Sequence, residues 1–168
     1  MKKLIALFLI STFTFNFTLA QKNRASPKES TKGKIDQLDV TIVYGSPSVK
    51  GRVIWGELVP FDKIWRAGAN EATTFEFSKD VEIENKKLPA GKYSFFVIPN
   101  MEKSTLIFNN DANQWGAYKY NIDKDQLRVD VKPSISSDQI EKLVYEIDQS
   151  NILLKWSNWG ISFDVKAD

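Results

Sequence analysis

The sequence predicts an all-β chain, an antiparallel β-sandwich of jelly-roll-like character with two long aromatic-rich loops. Three observations carry this. Period-two alternation of apolar and polar residues recurs in about nine or ten short stretches, roughly 8 to 12 residues apart. No stretch sustains a helical period over the length of an ordinary helix. Two aperiodic segments are too long for turns and too rich in Trp and Tyr for solvated linkers.

The first alternating stretch is LDVTIVY, where Leu38, Val40, Ile42 and Tyr44 share one face, and Gly45-Ser46-Pro47 ends it. The first long loop follows, SVKGRVIWGELVPFDKIWRAGANEA. Its Trp55, Leu58, Val59, Phe61, Ile64 and Trp65 imply that it packs its own side chains. Alternation resumes in TTFEF, with Phe75 and Phe77 on one side, and in VEIEN, with Val81 and Ile83. The segment KKLPAGKYSFFVIP supplies a turn around Pro89 and Gly91 and a strand from Lys92 to Ile98. STLIFNN is a strand and DANQWGAYKYNIDKD the second long loop. In QLRVDVK, Leu127, Val129 and Val131 alternate with Arg128 and Asp130.

The segment SISSDQIEKLVYEI fits two periods. Ile140, Val144 and Ile147 have helical spacing, and Ser136 with Gln139 matches a capping box. Leu143, Tyr145 and Ile147 have strand spacing, and the Val-Tyr pairing favours sheet. The expectation is a strand with a short helical approach. NILLKW, a turn at Ser157-Asn158 and WGISFDV then predict a C-terminal hairpin.

The start of the chain reads as a targeting signal. Lys2 and Lys3 precede the apolar run LIALFLISTFTFNFTLA, and Thr18 and Ala20 are small enough for a cleavage site before Gln21. Ser11, Thr12, Thr14, Asn16 and Thr18 dilute the run below what a membrane span of roughly 20 apolar residues needs. Residues 1–20 are therefore expected to be a signal peptide, giving a periplasmic or secreted protein with no stable span after cleavage. Residues 21–34, polar and Lys-rich, are expected to be a flexible leader, and 35–168 a single β-sandwich domain.

Charge and composition exclude several function classes. The chain has 23 basic and 21 acidic residues, and the excess lies in Lys2 and Lys3 of the targeting signal. The remainder is balanced and has no basic stripe, so no nucleic-acid partner is expected. There is no His and no Cys, which removes the common general base, the thiolate nucleophile, the usual transition-metal ligands and any disulfide. Stability then rests on packing, to which 11 Phe, 5 Trp and 5 Tyr contribute. Asp111 among Asn109, Asn110 and Asn113 is turn composition with a single charge, so neither a metal nor another cofactor is expected.

The pieces YGSPSVKGRVIWGELVPFDKIWRAGANEATTFEFSKDV, LPAGKYSFFVIP, QWGAYKY and LRVDVKP together resemble the bacterial domain of unknown function 2911 family over about residues 38 to 165. The resemblance implies a small, mostly β, secreted or envelope-associated bacterial protein with no established activity, and it transfers no catalytic role to any residue. The turn from Pro89 to Gly91 is similar to the second motif of the cupin jelly roll. Ser94 stands where that motif has its metal-binding His, so the metal chemistry does not follow.

Candidate binding residues gather in the two loops: Arg52, Trp55, Arg66, Asn70 and Glu71 in the first, and Trp115 and Tyr118, with Gln114 and Tyr120, in the second. Aromatic faces beside Arg, Asn and Glu can stack on a sugar or planar group and hydrogen-bond its hydroxyls or carboxylate. The same residues also suit a purely structural use. Trp55, Trp65 and Trp115 can plug an open end of the sandwich while Arg66 pairs with Glu71 and Asn70 bonds the loop backbone. The leading expectation is a non-enzymatic binding or accessory protein for a small polar ligand, glycan or peptide. The alternatives are a hydrolase or lyase with Glu71 or Glu57 as base and Arg52 or Arg66 holding an anion, and a structural or interaction protein of the envelope.

Overall fold

The computed structural model describes residues 24–168, so the expected signal peptide, 1–20, lies outside the described residues. Ten strands occur among them: β1 (Lys28–Ile35), β2 (Leu38–Gly45), β3 (Thr73–Phe77), β4 (Val81–Ile83), β5 (Lys86–Leu88), β6 (Gly91–Ile98), β7 (Ser104–Asn109), β8 (Asp125–Val131), β9 (Ser134–Ile147) and β10 (Asn151–Ala167). They form a six-stranded sheet in the order β1-β2-β3-β6-β7-β8 and a four-stranded sheet in the order β5-β4-β10-β9. Every strand pairing is antiparallel. The chain is all-β and sandwich-like, as its periodicity predicts. Among the described residues there is a single 3-10 turn, Ile122–Lys124, and no other helix, and none is long and apolar enough to cross a membrane.

Alternation explains the core. Leu38, Val40 and Ile42 of β2 point inward, and Ile42 lies opposite Phe75 of β3 while Phe95 of β6 lies opposite Phe108 of β7. The small sheet answers with Phe163 of β10, whose ring centroid is 6.1 Å from Phe75 and 6.0 Å from Phe95. Tyr145 of β9 meets Phe75 edge-on at 5.7 Å. These rings form the centre of the sandwich, in the offset and edge-to-face geometries that the aromatic quadrupole favours. Strands β6 and β7 are buried on both faces, because Phe96 and Ile107 on the outer side are covered by Ile64 and Ala72 of the first loop and Ala117 and Tyr120 of the second.

Three expectations are corrected. Residues 28–34, expected to be a flexible leader, form β1, which pairs with β2 along its whole length from Lys28 opposite Gly45 to Ile35 opposite Leu38. Only Ile35 of this strand is buried, so no hydrophobic alternation announces it. Its Lys28, Lys32 and Lys34 suit an edge strand, since charge there opposes unwanted strand addition.

The helical approach is absent, because Ser134–Ile147 is strand throughout. The expected C-terminal hairpin is instead one continuous strand. Ser157, with φ +57, absorbs a register shift between Lys155 and Trp159, so the turn-like Ser157-Asn158 bends β10 without reversing it. The reversal lies earlier, where Asp148 N–H donates to Asn151 O at 2.9 Å between β9 and β10.

Phe163 links three phenylalanines of the opposite sheet in a chain without disulfides. Phe163→Ala is expected to lower unfolding free energy by about 3–5 kcal/mol. Urea unfolding checks this, and a loss below about 1 kcal/mol would show that the sheets are not held together at this point.

Candidate functional site

The stretch RAGANEA, residues 66–72, makes a hydrogen-bonded corner. Trp65 exchanges two backbone hydrogen bonds with Val97 of β6, at 2.8 and 2.9 Å, and so occupies the place beside β6 that β3 has not yet reached. Ala67 (φ +53) and Asn70 (φ +64) then take left-handed conformations, which cost a non-glycine residue about 1–2 kcal/mol. The turn exposes the Ala67 carbonyl to two hydroxyl donors, Thr73 Oγ1 at 2.9 Å and Tyr145 Oη at 2.8 Å. Small residues are required because Ala69 N–H donates to Gly45 O at 3.1 Å. A Cβ on Gly45 would collide with the Ala69 carbonyl.

The corner brings the two long loops together. Ala72 N–H donates to Gln114 O at 2.9 Å and Gly116 N–H to Asn70 O at 3.0 Å, a short antiparallel ladder that sets Glu71 opposite Trp115. Beside this ladder lies a groove of about 500 Å³ on the large sheet, lined among others by Lys28, Thr74, Lys92, Glu71, Gln114 and Trp115. Trp115 is 60% exposed at the groove.

Two polar side chains of this region, Glu71 and Asn70, already have partners. Both Glu71 carboxylate oxygens accept from Arg24, at 2.8 and 2.9 Å, and the hydrogen bond from this guanidinium holds the Glu71 carboxyl below its usual range. Asn70 Nδ2 donates to Ser26 O at 3.2 Å. The Arg66–Glu71 pair expected for a self-contained plug therefore does not form. Arg24 takes its place, from a segment that carried no signal of a role here. Arg66 is half-buried, does not line this groove, and its Nε has no acceptor.

Gln114 is held by a buried network. Asn109 Nδ2 donates to Asn121 O and to Asp125 Oδ1, so its Oδ1 must be the acceptor, and it takes hydrogen bonds from Asp111 N–H and from Gln114 Nε2. Gln114 Nε2 also donates to Asp111 O at 2.8 Å, which uses both amide hydrogens. Gln114 Oε1 is left as an acceptor without a protein donor. Tyr120 braces the same loop, donating to Asp125 Oδ2, which also accepts from Arg128 Nη1 at 2.9 Å. Burial and that bond to a carboxylate push the Tyr120 phenol up to about 12.

The remaining candidates lie elsewhere. Trp55 belongs to an aromatic cluster, 4.3 Å from Trp159 and 5.5 Å from Trp65 between ring centroids, with its Nε1 donating to Trp156 O at 3.3 Å. Arg52 Nε donates to Val49 O at 3.0 Å and its Nη2 donates to Ser48 O. Arg52 and Trp55 line a second groove, of about 480 Å³, that shares no lining residue with the first. Tyr118 is 86% exposed and lines neither. The expected set is thus divided: Glu71 and Trp115 share one groove, Arg52 and Trp55 share another, and Arg66, Asn70 and Tyr118 line neither. Lys28, Thr74 and Lys92 were missed because their strand positions come together only through sheet pairing. Among the described residues no group of three or more acidic side chains is placed to hold a metal ion.

The Arg24–Glu71 pair predicts a specific pH response. A carboxyl whose pKa falls on folding adds stability above its unfolded value and loses it as pH drops through the folded value. Wild type is therefore expected to exceed Glu71→Gln in stability near neutrality, with the difference vanishing on acidification through the carboxylate range. Thermal unfolding across that range checks this, and a difference independent of pH would refute the assignment.

Comparison with known proteins adds a family and no activity. No curated protein and no solved structure matches the chain. The family model described as "Protein of unknown function (DUF2911)" matches residues 26–165, from just ahead of β1 to near the end of β10. That match covers both long loops and both grooves, and the chain belongs to this family.

Proposed function

We propose that the chain is a non-enzymatic binding or accessory domain that holds a small polar ligand, a glycan above all, in the groove beside Trp115. The observation that carries this is a 60% exposed indole whose backbone is pinned by the ladder to Glu71. Holding the loop in place before a ligand arrives lowers the ordering cost of binding. Around the ring stand Lys28, Lys92, Asn113 and Thr74, donors and acceptors suited to hydroxyl and carboxylate groups.

The catalytic alternative is less well supported. A general base at neutral pH needs a carboxyl raised toward 7. Glu71, Asp111 and Asp130, the carboxyls that depart from the ordinary range, all shift downward because cationic or hydroxyl partners stabilise their charge. Glu57 is exposed.

Titration of the protein with a panel of neutral and acidic oligosaccharides, followed by calorimetry, tests the binding reading. Trp115→Ala is expected to weaken any bound glycan about tenfold, or about 1.4 kcal/mol, while Tyr118→Ala, outside the groove, leaves it unchanged. Equal binding by wild type and Trp115→Ala would refute this site.

Export by residues 1–20 is part of the same reading, motivated by their charge and apolar pattern. Mass analysis of the protein from its native cells is expected to find Gln21 at the amino terminus, and an intact Met1 in cytosolic protein would overturn export.

A further inference from the structure

The second groove has a different chemistry from the first. Its opening follows from a strand irregularity. On β10 the step from Ser157 to Trp159 is opposed on β9 by the longer run from Ile140 back to Ile135, so the β9 residues between them have no one-to-one partner on β10. The wall beneath is aromatic, with Trp55, Phe61 and Trp159 all lining the groove and Phe61 6.1 Å from Trp159 between ring centroids. Trp159 Nε1 is buried without an acceptor.

Val53, Met101 and Ile135 come from three separate parts of the chain, are 57%, 53% and 61% exposed, and all line this groove. Large apolar side chains gathered at one concavity mark a surface that is covered in use. A single charged residue lines it, Arg52. The Arg52 head is tethered by Nε to Val49 O and by Nη2 to Ser48 O. At least two of its five N–H groups are occupied, and the rest remain to receive an oxyanion.

We propose that this groove binds an amphiphilic monoanion, an acyl chain whose tail lies on the aromatic wall and whose carboxylate meets Arg52. Charge selects this occupant: an apolar wall with one cation complements a chain with one negative end, whereas a neutral peptide or a second copy leaves the guanidinium unmatched. The site does not depend on glycan binding beside Trp115.

The test uses octanoate, decanoate and dodecanoate below their micelle concentrations, with intrinsic tryptophan fluorescence and calorimetry as readouts. Dodecyltrimethylammonium serves as the cationic comparator. The expected result is saturable one-to-one binding that tightens about threefold to fourfold per added methylene until the groove is filled, with dodecanoate at least about tenfold tighter than the cationic amphiphile. Arg52→Gln is expected to erase the preference for the anion while keeping the chain-length trend. Met101→Gln, at an exposed position that leaves the core intact, weakens every ligand, Ile135→Asp weakens every carboxylate, and Trp115→Ala leaves all of them unchanged.

Equal affinity for the two head groups, indifference to Arg52→Gln, or non-saturating uptake would overturn the proposal. So would concentration-dependent dimerisation that Ile135→Asp abolishes and dodecanoate does not compete with, which would assign the patch to self-association.

Discussion

The carbonyl oxygen of Ala67 is where the two sheets and the first long loop meet. It accepts from Tyr145 of β9 in the small sheet and from Thr73 at the start of β3 in the large one, at 2.8 and 2.9 Å. Buried backbone carbonyls must be satisfied, and here satisfaction requires the residue to adopt a left-handed conformation at φ +53. The placement of Trp65 on β6, the approach of Ala69 to Gly45 and the ladder from Asn70 to Gly116 all follow from that bend. Without cysteines, such a corner does locally what a disulfide does in small disulfide-bonded domains.

Much of the fold was legible in the sequence, for a physical reason. Strands β2, β3 and β8 bury one face against the opposite sheet, so Leu38, Phe75 and Leu127 repeat with period two among less buried neighbours. Strand β1 was not legible, because an edge strand held by backbone pairing needs no apolar alternation. The continuity of β10 was hidden for another reason. Ser157-Asn158 is turn composition, and a bulge uses the same composition as a reversal.

The site was legible in part. The convergence of Glu71 with Trp115 could be suspected from loop length and residue type, since both loops lack a period of their own and carry polar and aromatic residues together. Which residues partner them could not be. Arg24 lies 47 positions from Glu71, and Lys28 and Lys92 reach the same groove from strands on different parts of the chain. Arg52 and Trp55 carried the same residue-type signal but follow the Trp cluster to the other groove. Residue type identified the two loops, and the pairing of strands decided which loop faces which.

The contacts of Arg24 with Glu71 and of Asn70 with Ser26 also place the entry of the chain into the domain. The polypeptide comes in at the lip of the Trp115 groove, and Lys28, one of the groove's own residues, stands four positions later. A purification tag or fusion partner joined directly ahead of Arg24 is thereby held near that lip, where it would compete, as a tethered group, with the glycan proposed for the groove. Affinities for this groove are therefore best compared on protein tagged at the far end, beyond β10.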